Sequence, residues 1–313
     1  MNLIGNTPLI KINYKYNGVD KFVYTKLEYY NLTGSIKDRV VDYILNKDIK
    51  ENKLKSDMIL VEATSGNTGI SLSAIGATTK HKVHIFMPDW VSKERLVLMK
   101  LYGADVTLVK RSEGGFKKCI EKAYEFAKNN NGYLLDQFNN LNNVEAHFET
   151  TGKEITDKIK VDAFVSGIGT GGTLIGVAKR LKLENEFVKI FALEPKNMSL
   201  IKNKTKDIKE HKIEGIGDDF IPSIVDLKLI DDCILITDEE AILMAQKISK
   251  ELGIGVGISS GANMMAAIKL KNLGYNNVVT IFPDDSKKYL STDLTNRYYD
   301  NLNNIELLNY EII

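Results

Sequence analysis

Met58-Ile-Leu-Val-Glu62, the polar turn Thr64-Ser-Gly-Asn-Thr-Gly69, the segment Ile70–Thr79 and the apolar run Val83–Met87 follow one another almost without a linker. A short apolar run bounded by turn residues reads as a buried strand, and the next segment has helical character, so the stretch is a strand–loop–helix–strand unit. The same alternation continues downstream through a helix at Ser92–Tyr102, a strand at Val106–Val109 and a helix at Phe116–Lys128. It resumes after the loop Asp136-Gln-Phe-Asn139 with a helix near Val144–Ile159, a strand at Asp162–Ser166, a helix at Leu174–Leu183 and a strand at Val188–Glu194. Strands at Cys233–Thr237 and Val278–Phe282 enclose helices at Glu239–Leu252 and Gly261–Leu273. Upstream, Phe22–Leu27 alternates like a strand, and Ile4–Leu9 is a turn leading into an extended piece. Strands alternating with helices predict an α/β fold: mostly parallel sheet, helices on both faces, and ligands at the carboxyl ends of the strands.

Composition narrows the function. The chain has 313 residues, 43% hydrophobic and 27% charged, with a formal net charge of +1. That suits an ordinary globular protein with full cores and gives no clustered basic excess for nucleic acid. No apolar run reaches bilayer length and the start MNLIGNTPLI lacks a signal-peptide pattern, so a cytoplasmic protein without membrane contact is expected. Cys119 and Cys233 are far apart and are read as reduced structural thiols. His81, His84, His147 and His211 form no metal-binding spacing, so no metal is expected. The Asn- and Lys-rich segment Lys202–Lys212 reads as a solvated loop.

Four stretches carry chemistry. Asn31-Leu-Thr-Gly-Ser-Ile-Lys-Asp-Arg39 is a polar turn entering an amphipathic helix, with Ser35 as N-cap and Ile36, Val40, Val41 and Ile44 on one face. Lys37 then falls in the first turn, where the helix dipole favours a neutral amine suited to Schiff-base chemistry. Gly167-Ile-Gly-Thr-Gly-Gly-Thr173 follows a strand and opens a helix, a natural phosphate cradle. It also fits G-x-G-x-x-G with Glu194 downstream, so a nicotinamide-dependent dehydrogenase is a rival on this loop alone. Thr64-Ser-Gly-Asn-Thr68 offers hydroxyls and free backbone donors to a carboxylate, and Gln137 sits in a loop that can meet substrate. In Gly257-Ile-Ser-Ser-Gly-Ala262, Ser260 either caps the helix or reaches a ring nitrogen.

Taken in order, IGNTPL, KLEYYNLTGSIKDR, EATSGNTG, MPDWVSKER, YGAD, LDQFNN, TTGKEI, SGIGTGGT, LEP, HKIEGIGDDFIP, GISSGA and PDDSKKYLST resemble the cysteine synthase and cystathionine β-synthase family of pyridoxal-phosphate enzymes. The resemblance covers nearly the whole chain. It implies fold type II of the pyridoxal-phosphate enzymes, with two twisted, mostly parallel sheets and helices on both faces. The division expected with it is a large cofactor-binding domain of residues 1–34 and 144–313 and a smaller mobile domain of residues 35–143. It further implies pyridoxal 5'-phosphate held by Lys37 as an internal aldimine, Asn67 beside the phenolic oxygen, Gly169, Thr170, Gly171, Gly172 and Thr173 around the phosphate, and Ser260 at the pyridine nitrogen. Thr64, Ser65, Asn67, Thr68 and Gln137 would hold the substrate carboxylate, and the family resemblance suggests a homodimer.

Departures bear on the reaction. Leu32 stands where the family usually has proline, and PDDSKKYLST replaces the usual serine-glycine after PD. Asp218-Asp219 fills a loop that is commonly Ala-Gly in cysteine synthases, and Asp231-Asp232 adds acid before the strand at Cys233. No regulatory module is expected after Ile313 and no haem-binding extension before Met1. The resemblance implies β-elimination and β-replacement on cysteine or a related small amino acid through an aminoacrylate. The acids favour release of hydrogen sulfide, with water or a thiol as second substrate and Asp232, then Asp218, as the base. The alternative is synthesis of cysteine from O-acetylserine and sulfide. A non-catalytic amino-acid sensor is a reading of another class, disfavoured by Lys37.

Overall fold

The computed structural model describes residues 3–204, 210–296 and 302–313. Its strands are β1 Leu9–Tyr16, β2 Val19–Leu27, β3 Ile59–Ala63, β4 Val83–Pro88, β5 Asp105–Val109, β6 Gly132–Leu134, β7 Ala163–Gly167, β8 Lys189–Pro195, β9 Asp232–Ile236, β10 Val278–Phe282 and β11 Ile305–Ile312. Its helices are α1 Lys37–Lys50, α2 Asn67–Thr79, α3 Lys93–Leu101, α4 Gly115–Asn129, α5 Asn142–His147, α6 Lys153–Thr156, α7 Gly172–Glu184, α8 Asp238–Leu252 and α9 Ile258–Asn272.

Two sheets form. One has the order β11-β1-β2-β10-β7-β8-β9, the other β5-β4-β3-β6. All pairings are parallel except β1 with β2 and β1 with β11. This is the expected mostly parallel α/β architecture. Period-2 side-chain alternation explains the apolar strands: Val165 of β7 joins the core under α8 and α9, and its neighbour Phe164 joins the core under α7. The smaller sheet does the same, with Leu60 facing α1 and α2 and Val61 facing α4. A strand covered on both faces has no polar side to show.

Three differences from expectation have physical causes. The predicted helix over Val144–Ile159 is broken into α5, a π-helical turn at Phe148–Gly152 and α6. In that segment the Thr150 hydroxyl donates to the Ala146 carbonyl, and Thr151 pairs with His147 at 2.9 Å. The hairpin of β1 and β2 turns at Asn17 and Gly18, both at positive φ, the conformation that Asn-Gly favours between antiparallel strands. Strand β11 escaped the pattern because most of its residues are exposed on a sheet edge. Of the loop Lys202–Lys212, residues 205–209 lie outside the described residues. Cys119 and Cys233 are buried and free, and no metal-binding cluster occurs among the described residues. No helix among them is long and apolar enough to cross a membrane.

Candidate active site

The turn before Lys37 is held differently from the expected cap. Helix α1 begins at Lys37 with Ile36 already in helical geometry, and Ser35 Oγ only accepts the Lys37 N–H at 3.3 Å. The buried carboxylate of Asp38 organises the turn instead, accepting the Thr33 N–H at 2.7 Å and the Thr33 and Ser71 hydroxyls at 2.6 Å each. The Ile36 N–H donates to the Pro283 carbonyl at 2.9 Å, which anchors the turn to the end of β10. Lys37 thus enters the cleft between the sheets, and burial lowers its pKa to about 8 against the opposing pull of Asp218 and Asp284. The shift expected from the helix dipole therefore comes from desolvation.

Behind Lys37, Arg39 forms a buried network. Its guanidinium meets Glu28 and Glu154 at 2.6 Å each, and Lys26 meets Glu154 at 2.7 Å. Two cations and two carboxylates balance, so the first turns of α1 are locked to β2 and α6.

The glycine loop sits across the cleft at the start of α7. Gly171 has φ +86°, a conformation that disfavours side chains, and a Cβ there would strike Val225. A Cβ at Gly172 would overlap Asn143 Oδ1. Gly169, Thr170, Gly171 and Thr173 line the cleft. Thr173 Oγ1 lies 3.2 Å from Nε2 of buried His147, whose pKa is pushed well down by burial and by the Lys37 and Arg39 charges. His147 is therefore a neutral partner to the loop.

Thr64, Ser65, Asn67, Thr68 and Gln137 line the same cleft. Gln137 Nε2 donates to the Ala63 carbonyl at 3.1 Å, and the Thr68 hydroxyl donates to Gln137 Oε1 at 2.6 Å. Asn67 Nδ2 donates to Asp284 at 2.8 Å, while its buried Oδ1 has no partner. Buried polar atoms are normally paired, so this one marks a ligand position.

Two expected residues stand elsewhere. Ser260 is fully buried and its hydroxyl donates to the Asp284 carbonyl at 3.4 Å; its neighbour Ser259 lines the cleft instead. Successive helical residues point about 100° apart, so only one serine of the pair faces in. Asp232 begins β9 at the outer edge of the larger sheet, where its exposed carboxylate pairs with Lys202 at 3.0 Å and accepts its own Cys233 N–H. It is absent from the cleft lining, so the geometry does not support it as a base there. Asp218 does line the cleft, and burial, with the Asp219 charge, raises its pKa to about 6 against the pull of Lys37.

Other residues in and around the cleft were given no role from the sequence. Arg95 of α3 pairs with Glu214 at 2.7 Å and donates to the Ser65 carbonyl at 3.2 Å. At the mouth, Phe116, Phe138 and Phe220 stack edge to face, and Lys117 pairs with Asp219 at 2.7 Å.

An amine of lowered pKa, a glycine cradle at a helix start and an unpartnered amide oxygen together fit a group bearing an aldehyde and a phosphate. They define a Schiff-base enzyme that uses pyridoxal phosphate. Residues 1–284 match the family described as pyridoxal-phosphate dependent enzyme, and the chain belongs to that family. It is 40% identical to a cysteine synthase of Staphylococcus aureus over 93% of this chain and 95% of the relative. Its structure matches a hydrogen sulfide-producing enzyme from Fusobacterium nucleatum with TM-score 0.94 and 46% identity, covering 100% of this chain and 97% of that one. A structure with TM-score 0.95, 46% identity and coverage of 100% and 98% is an aspartate-to-asparagine variant of that enzyme, complexed with an α-aminoacrylate intermediate. The dehydrogenase reading of the glycine loop is thereby set aside.

Proposed function

We propose that this enzyme removes the β-substituent of cysteine through an α-aminoacrylate, releases hydrogen sulfide, and passes the remaining fragment to water or a thiol. The observation that carries this reading is Asp218, a carboxylate on the cleft wall within electrostatic reach of Lys37 and with its pKa raised to about 6. The likeness to hydrogen sulfide-producing enzymes over the whole chain supports it. The opposite direction, cysteine from O-acetylserine and sulfide, is the second reading, favoured by the curated cysteine synthases at 40% identity.

When bound, pyridoxal phosphate supplies an aldehyde for the substrate amine and a ring that withdraws electrons from the α-carbon. Lys37 would hold it, the loop Gly169–Thr173 would take its phosphate, and Asn67 its phenolic oxygen. Ser259, in place of Ser260, would meet the ring nitrogen, and a neutral hydroxyl there draws electrons less strongly than an acid. Thr64, Ser65, Asn67, Thr68 and Gln137 bind the substrate carboxylate and fix the α-proton within reach of Lys37 Nζ, which removes it. Asp218 takes the proton from a water or thiol as it adds. Residues 35–143 act as the mobile unit and close on residues 1–34 and 144–313, with the Lys117–Asp219 pair and the phenylalanine stack as the closing contacts. The enzyme works as a cytoplasmic homodimer.

Incubation with cysteine alone, and separately with O-acetylserine plus sulfide, tests the direction by mass identification of every amino-acid product. Sulfide with serine or a thioether from cysteine supports the first reading. Efficient cysteine synthesis with no cysteine breakdown overturns it.

A further inference from the structure

Glu62, at the end of β3, is nearly fully buried at 3% exposure. It forms no ion pair among the described residues, and burial without a cation raises its pKa to about 8 against the opposing pull of backbone hydrogen bonds. Its Oε1 accepts the Ala63 N–H at 2.7 Å and its Oε2 accepts the Gln137 N–H at 3.1 Å. These are the backbone groups on either side of the substrate cradle. Ala63 precedes the Thr64 loop, and its carbonyl also holds the Gln137 side chain at 3.1 Å. Gln137 is thus fixed at four atoms. Glu62 takes its N–H, Asn143 donates to its carbonyl at 2.9 Å, Ala63 accepts from its amide nitrogen, and Thr68 donates to its amide oxygen.

We propose that Glu62 is a positioning residue that sets the geometry of the substrate-carboxylate cradle by gripping Ala63 and Gln137 together. The proposal rests on the reading of Gln137 and the Thr64 loop as the carboxylate site. A carboxyl group offers an oxygen to each of these two converging N–H groups, and an amide offers only one. A glutamine of the same size keeps one acceptor and turns an NH₂ group against the other N–H, so the Gln137 peptide must shift. Glu62 is not among the residues that line the cleft, so it acts through the loop.

The test uses the holoenzyme and Glu62→Gln, with L-alanine, which has no β-leaving group, and ethylamine, which has no carboxylate. Dissociation constants are read from the change in cofactor absorbance. One lost hydrogen bond that leaves a buried N–H unpaired predicts about tenfold weaker L-alanine binding, with ethylamine binding changed less than about twofold. With cysteine, KM rises by more than kcat falls, and cofactor content stays at the native level. Equal weakening of both ligands, or loss of cofactor in parallel, assigns Glu62 a merely structural role and overturns the proposal. Native L-alanine binding by Glu62→Gln also overturns it. A Gln137→Ala variant separates the two levels: if it keeps the native preference for L-alanine over ethylamine, the carboxylate reading itself fails and the proposal falls with it.

Discussion

The Nδ2 of Asn143 donates to the main-chain carbonyl of Gln137 at 2.9 Å, and the same amide reaches Thr170 Oγ1 at 3.0 Å. One buried side chain thus ties the Gln137 loop to the glycine loop. Its Oδ1 has no partner and lies where a Gly172 Cβ would fall. Asn143→Ala is expected to weaken binding of both pyridoxal phosphate and amino acid. Each lost hydrogen bond leaves a buried group unpaired, at about 1–3 kcal/mol. Equilibrium dialysis for the cofactor and absorbance titration for L-alanine would show the two effects together.

Lys37→Ala is expected to abolish turnover, by at least about a thousandfold, since both amine capture and proton removal are lost. Borohydride reduction of the native enzyme should attach the cofactor to the peptide containing Lys37. In cofactor-free protein the amine has a pKa of about 8. The neutral form is the nucleophile, so the rate of cofactor capture should rise with pH through about 8 and level off above it. Stopped-flow absorbance across pH 6.5 to about 9.5 measures this.

Asp218→Asn should slow addition of water to the fragment by about a hundredfold, if the carboxylate is the base, while first-turnover sulfide release falls far less. Asp232→Asn should act like the native enzyme within about twofold, because an exposed pair such as Asp232 with Lys202 adds little. Comparing serine and sulfide from single-turnover reactions of the two variants separates them. Equal behaviour of both would remove Asp218 as the base.

Replacing Gly171 by alanine should reduce cofactor affinity by more than about tenfold, through positive-φ strain and the clash with Val225. Fluorescence titration of the cofactor-free variant measures the loss.

Glu154 gives a stability prediction. Burial pushes its carboxyl up, but Arg39 and Lys26 outweigh this and hold it at about 2, below the unfolded value of about 4.3. The group therefore contributes stability above about pH 4.3, lost as pH falls toward about 2. Glu154→Gln leaves two buried cations facing only Glu28, an expected loss of about 3–5 kcal/mol near neutrality. Denaturant unfolding of both proteins should show that gap narrowing as pH drops below about 4.

Much of the site was legible because strand–loop–helix junctions keep neighbouring residues together. The 64–68 and 167–173 loops each follow a strand end and open a helix, so sequence order alone places their donors at one edge. That Ser259 and not Ser260 lines the cleft was not legible, because adjacent serines differ only in helical phase, which GISSGA does not reveal. The β1–β2 hairpin was legible at Asn17-Gly18, a dipeptide that is a strong turn signal. The position of Asp232 was not legible either, because its strand resembles the others in sequence while the structure makes β9 the outer strand of its sheet.

The sequence by itself determined the α/β class and the family, and singled out Lys37 and the two loops as candidates, because these rest on local periodicity, turn chemistry and ordered motifs. Which acid faces the cleft, that Glu62 and Asn143 grip Gln137, and that desolvation lowers the Lys37 pKa were decided only by tertiary structure. The reason is physical. Burial and hydrogen bonds between residues tens of positions apart depend on strand order and on which side of an element each side chain leaves, and neither is written in the spacing along the chain.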